Sequence, residues 1–174
     1  MKKNQQLILL GLIALVVLLS WYLIYNFSPS IQQSKIMMEV DRITEKEHLN
    51  VQDKTVVDKI KTNGITVYVV DVHTTEETYY VFLEKQSILD FNIHYETISM
   101  LSEKGEVDIQ YKNERLLVTG IKPDDKTSVF TVYFPYIDDS MVRFDELDIS
   151  QNRYFVYYAD KGLKNKKLIN YEFR

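Results

Sequence analysis

"SILDFNIHYETISMLSEKG", Ser87 to Gly105, carries two incompatible periodicities, and the choice between them sets the fold class of the chain. As a helix, Ser87 and Asp90 make a capping-box pattern, Ile88, Phe91, Tyr95, Ile98 and Leu101 share one stripe, and Lys104 with Gly105 supplies a stop. As a strand, Phe91, Ile93 and Tyr95 alternate with their neighbours, and several β-branched residues favour extended backbone. We take Phe91 to Ile98 as a strand; a helix at about 87–104 would make the protein α+β instead.

The segments on either side favour the strand. "ITVYVVDV" and "TYYVFLEK" flank the polar "HTTEE", which predicts a hairpin, and both runs are apolar on both faces, as central strands are. "EVDIQYK" alternates strictly, and "NE" turns it into "RLLVTGIK". "KPDDKTS" is a turn built on Pro123, after which "VFTVYFPY", "MVRFDELDI", "RYFVYYA" and "KLINYEF" recur at the spacing of an antiparallel meander or β-sandwich. Five glycines and three prolines among 174 residues, with 45% apolar content, indicate a packed domain rather than a disordered tail. Ahead of these strands, Asp53 to Asn63 suggests another turn or two of helix, with Val56, Val57 and Ile60 on one side and Gly64 as its stop.

The amino-terminal third has a different solvent. Between Asn4 and Ser34 there is no charge, and Leu7 to Tyr25 is nearly unbroken aliphatic or aromatic. As a helix that run is roughly 28 Å long, close to the hydrocarbon thickness of a bilayer. Lys2 and Lys3 are the only charges before it, which predicts a cytoplasmic amino terminus, and Trp21, Tyr22 and Tyr25 mark the outer membrane interface. The expected organisation is a tail at 1–6, a transmembrane anchor at 7–25, a helical stalk or linker at 26–50 and an extracytoplasmic β-rich domain at 51–174. The alternative is a cleaved signal and a secreted protein, but the apolar run is longer than a signal needs, ends in bulky rings, and has Pro29 inside the only candidate cut site. With no cysteine there is no acceptor for a lipid and no disulfide framework. A pilin-like helix is excluded because Val16 stands where that pattern requires glutamate. The "NFS" at Asn26 matches a glycosylation sequon but abuts the membrane.

Ser28 before Pro29 is a helix start, with the hydroxyl expected as the cap. Ile36, Val40 and Ile43 then recur at helical spacing among charged residues to about Glu47, which suggests a spacer or a helix that pairs with a partner. Without Lys2 and Lys3 the remainder holds 19 Lys and Arg against 25 Asp and Glu, an acidic balance unsuited to nucleic acid or anionic lipid surfaces.

No motif in the outer part names a reaction. His48, His73 and His94 fall in no metal-ligand spacing; His73 with Glu76 and Glu77 lies in an expected loop. The acidic pairs Asp124 with Asp125 and Asp138 with Asp139, and the group Asp145, Glu146 and Asp148, flank turns and lack the alternating ligand pattern of a calcium loop; Asp138 and Asp139 are retained as a weak cation candidate. There is no GxSxG elbow, no SxxK and no glycine-rich phosphate loop, and no cofactor is implied.

Tyrosine is the unusual residue, with eleven of thirteen outside the apolar run. Tyr154, Val156 and Tyr158 point to one side of a strand while Phe155, Tyr157 and Ala159 point to the other. One side is expected to be core. The other, with Tyr133 and Tyr136, is a candidate interaction surface, against the ordinary explanation that tyrosine packs well in strands. The resulting expectation is a membrane-anchored, non-catalytic interaction or accessory subunit of a bacterial envelope assembly, in contact with the bilayer through residues 7–25 and with an envelope protein. A cell-wall polymer or carbohydrate binding module, and an envelope enzyme with a scattered site, are the alternatives.

Overall fold

A computed structural model of the chain describes residues 2–88, 92–102, 104–112, 115–135, 142–159 and 170–174. Two helices, α1 (Lys2–Phe27) and α2 (Pro29–Lys46), precede ten strands: β1 (Val51–Thr62), β2 (Ile65–Thr74), β3 (Thr78–Ile88), β4 (Asn92–Leu101), β5 (Val107–Lys112), β6 (Arg115–Ile121), β7 (Val129–Pro135), β8 (Val142–Asp148), β9 (Tyr154–Ala159) and β10 (Asn170–Phe173). The protein is mainly β, with antiparallel sheets and one apolar helix at its amino terminus.

Within α1, the 18 residues Ile8–Tyr25 are long and apolar enough to cross a membrane and are not covered by any other part of the chain. Trp21 and Tyr25, one turn apart, stack with ring centroids 5.8 Å from each other. Only Ser28 separates α1 from α2. Pro29 opens α2 as expected, but Ser28 makes no side-chain cap; its hydroxyl lies 2.8 Å from that of Ser30 instead. α2 ends where His48 takes a left-handed conformation, φ 57°.

The expected helical turn at Asp53 to Asn63 is a strand. β1 pairs antiparallel with β2 from Val51↔Thr74 to Thr62↔Ile65, and Asn63 and Gly64, at φ 44° and 79°, form the two-residue turn between them. Asn-Gly supplies the positive φ values that this turn demands, so the turn chemistry outweighs the apolar spacing. β1 to β4 form a meander in chain order. The β2–β3 connection is tighter than the five residues expected, because His73 and Thr78 already pair.

Ser87 to Gly105 resolves in favour of the strand, with β4 paired along β3; Asp90 and Phe91 lie outside the described residues. The register runs from Leu83↔Thr97 to Phe82↔Ser99, leaving Ile98 as a bulge. One extra residue turns the strand over, so Ile93 and Tyr95 face one way while Ile98 and Leu101 face the other. A bulge near Val57 does the same to β1 on the opposite edge of the sheet.

The remaining strands do not form a simple meander. β5 and β6 make a hairpin, β7 and β8 start another sheet, β9 returns beside β6, and β10 returns beside β7, giving the orders β5-β6-β9 and β10-β7-β8. The side chains then build four layers. Ile36 and Val40 of α2 cover Tyr68, Val70, Val72, Val81, Leu83, Ile93 and Tyr95 on one face of the first sheet. Its other face, with Val67, Val69, Tyr80, Phe82 and Leu101, meets Leu117, Ile121, Tyr154 and Val156 of the second. The far side of the second, Leu116, Val118 and Phe155, packs on Phe130, Val132 and Ile149.

α2 is therefore not a free spacer. Burying Ile36 and Val40 contributes about 1.5–3 kcal/mol each, and polar bonds fix the register: Lys35 Nζ donates to the Ile93 carbonyl at 2.8 Å, and Thr97 Oγ1 donates to Glu39 at 3.1 Å. Asp41 also pairs with Lys54 of β1. At the second interface, Thr119 Oγ1 donates to Ser99 Oγ at 2.7 Å, both residues buried.

Candidate functional site

The tyrosines of β9 obey strand alternation, but both faces are core. Tyr154 is 5% exposed, between the first and second sheets, with its ring centroid 5.3 Å from that of Tyr80. Burial, the largest influence, pushes its phenol up to about 12. Tyr158 packs at the edge of the same layer, and Tyr157 packs on the opposite side, its hydroxyl donating to Asp145 at 2.5 Å. Tyr133 is half-buried on the outer side of β7, and its hydroxyl donates to Glu172 at 2.7 Å. Tyr136 lies outside the described residues. Tyr154 thus belongs to the core, as expected of one side of the strand, while Tyr157, Tyr158 and Tyr133 are half-buried.

At the other end of the chain, Trp21 is 66% exposed, Tyr22 44% and Tyr25 51%, as rings at a membrane boundary require. Two of the three histidines serve the fold, and His94 is exposed on β4. His48 ends α2, and His73 bridges the β2–β3 hairpin with Nδ1 2.9 Å from Thr78 Oγ1 and Nε2 3.6 Å from Asp71. Among the described residues no group of three His, Asp or Glu converges on a metal position. Asp138 and Asp139 lie outside those residues.

One concave feature among the described residues is formed by residues that the sequence does not bring together. The β4–β5, β6–β7 and β8–β9 loops meet around an open pocket of about 330 Å³ lined by Lys104, by Lys122, Asp124 and Asp125, and by Ser150 to Arg153. Its base is the β6–β9 pairing, extended where the Lys122 amide donates to the Arg153 carbonyl at 2.8 Å. Lys122 is 7% exposed, and its ammonium reaches the Ser150 carbonyl at 3.1 Å. Arg153 is held by aromatic rings: its guanidinium carbon lies 5.2 Å from the Tyr80 centroid and 5.3 Å from that of Tyr154, and Nη2 donates to the Tyr80 hydroxyl at 2.8 Å.

The two carboxylates differ. Asp124 Oδ1 accepts from the Thr127 amide at 2.8 Å, the Lys126 amide at 2.9 Å and the Thr127 hydroxyl at 2.9 Å, and these bonds hold its carboxyl below the usual range. Asp125 has no side-chain partner among the described residues. The sequence signal for this pocket is faint: each cation sits beside a strand end, but only the long-range return of β9 to β6 juxtaposes them.

Compared with family models, curated proteins and solved structures, the chain finds no match, so function is argued from the molecule alone.

Proposed function

We propose that the protein is a single-pass membrane protein whose β-domain lies outside the cytoplasmic membrane and acts as a non-catalytic interaction subunit of a bacterial envelope assembly. The observation that carries this reading is the α1–α2–sheet continuity. One residue separates the apolar helix from α2, and α2 is bonded to β4 through Lys35 and Glu39. A domain mounted in this way sits at a set height above the bilayer, which suits positioning against a neighbour more than free diffusion. Lys2 and Lys3 support a cytoplasmic amino terminus. The pocket cations Lys122 and Arg153 and the carboxylate Asp124 already hold structural bonds, which favours binding over proton transfer.

The test is photo-crosslinking from Met38, 68% exposed on α2, in full-length protein in native membranes, followed by affinity recovery. A specific envelope protein crosslinked to this position is the expected result. No crosslinked protein, with sedimentation of the domain on purified wall material, refutes it.

A further inference from the structure

We propose that Asn63 is a self-modifying site, and that its conversion to aspartate or isoaspartate releases β9 from the β1–β2 hairpin. This inference goes beyond the interaction role and stands without it. Of the nine asparagines in the chain, Asn63 alone precedes glycine. Both residues of this turn are exposed, at φ 44° and 79°, and nothing lies within 4 Å of the place that a Gly64 Cβ would occupy. The strand ladder closes at Thr62↔Ile65, so the Gly64 amide stands outside it, and that amide makes no turn or loop bond to a carbonyl among the described residues. A backbone nitrogen with no side chain to screen it therefore follows directly on a carboxamide.

The same carboxamide joins two sheets. Asn63 Nδ2 donates to the Tyr158 carbonyl at 3.0 Å, from the tip of the first sheet to β9 of the second. β9 pairs with β6 on one side, and on its other side no strand is paired with it among the described residues. Ile60 of β1 and Tyr158 pack at the rim of the core between the two sheets. The bond to Tyr158 restrains the carboxamide, whereas cyclisation needs Cγ free to rotate onto the Gly64 nitrogen. Conversion proceeds from the fraction in which this contact is open, and its rate reports that local opening.

The step consumes only water. The Gly64 nitrogen forms a bond to Cγ of Asn63 and gives up its proton, the Cγ–Nδ2 bond breaks, and ammonia leaves from a five-membered succinimide. Water then adds to one ring carbonyl and breaks that carbon's bond to the ring nitrogen. Attack at Cγ gives aspartate; attack at the backbone carbonyl carbon gives isoaspartate, which also lengthens the main chain of the turn. In either product the donor to Tyr158 is gone, and a carboxylate faces a carbonyl in its place.

The test is incubation of the full-length protein in detergent micelles at mildly alkaline pH, sampled by peptide mass spectrometry and hydrogen exchange. The peptide that carries Asn63 is expected to gain the mass of amide-to-acid conversion while the protein stays folded by circular dichroism. In the converted chain, exchange of the β9 amides speeds up about fivefold, the scale of one lost hydrogen bond. Ile60→Ala, which loosens the rim without touching the turn, raises the conversion rate about fivefold, and Ile60→Val raises it by less and serves if the alanine variant unfolds. An Asn63 amide that survives in the folded protein while the urea-unfolded chain converts overturns the proposal. So does conversion that leaves β9 exchange unchanged, or a rate indifferent to the Ile60 variants.

Discussion

Gly120 is the position where the layered core is least tolerant. A Cβ added there would lie 2.1, 2.6 and 2.8 Å from Cζ, Cε1 and Cε2 of Phe155, its cross-strand partner on β9. The ring must withdraw by over 1 Å to regain ordinary carbon contact, and it has nowhere to go: Phe155 is 2% exposed, with ring centroids 4.5 Å from Phe130 and 6.0 Å from Phe173. Overpacking of this kind costs about 1–3 kcal/mol, while replacing glycine returns about 0.4–1 kcal/mol through the unfolded chain. Gly120→Ala is therefore expected to destabilise by about 1–2 kcal/mol net in denaturant titrations of the full-length protein in detergent, followed by far-ultraviolet circular dichroism. Phe155→Leu removes the ring atoms that clash, at a cost of its own, so in that background the alanine costs less than about 0.5 kcal/mol. A neutral or stabilising Gly120→Ala, or the same cost in both backgrounds, refutes the packing of β6 and β9 against β7.

Gly64, with φ 79° and nothing within 4 Å of an added Cβ, isolates backbone strain from packing: Gly64→Ala costs about 1 kcal/mol in the same titration, and Gly64→Asn less. Thr119→Val strands the buried Ser99 hydroxyl and costs about 1–3 kcal/mol, partly recovered in the Ser99→Ala double variant. Hydrogen bonding from Arg42, the largest influence, holds Glu39 below its ordinary value of 4.5, so its contribution is complete above that pH and is lost as pH falls through the lower folded value; Glu39→Gln flattens this acid limb of the stability profile. Tyr154, pushed up to about 12 from 10.0, contributes fully below pH 10 and loses that contribution as pH rises toward 12; Tyr154→Phe removes this alkaline loss.

Much of the architecture was legible because it is local. The unbroken apolar run gives α1, Pro29 opens α2, and two-sided apolar runs give β2 and β3 at the centre of their sheet. The ambiguity at Ser87 to Gly105, resolved as a strand, and the errors elsewhere have physical causes. The bulge at Ile98 spaces Tyr95, Ile98 and Leu101 three residues apart, which imitates a helical stripe although the three do not share a face. At Asp53 to Asn63 the spacing of Val56, Val57 and Ile60 suggests a helix, but the Asn63–Gly64 turn pairs the segment with β2 as a strand. The setting of the β9 tyrosines is non-local: nothing within "RYFVYYA" tells that β9 occupies a middle layer. The pocket was illegible for the same reason, since Lys122 and Arg153 become neighbours only through the β6–β9 pairing.

The absence of cysteine makes the central claim, a membrane anchor with the domain on the outer side, directly measurable. Met38→Cys on exposed α2 and Gln5→Cys ahead of the apolar span each place a single thiol in the chain. In intact cells a membrane-impermeant maleimide is predicted to label position 38 and spare position 5 until the membrane is permeabilised, with the protein retained in the membrane fraction. Labelling of position 5 but not 38 in intact cells, or recovery of the position 38 thiol in a soluble chain lacking α1, contradicts the account.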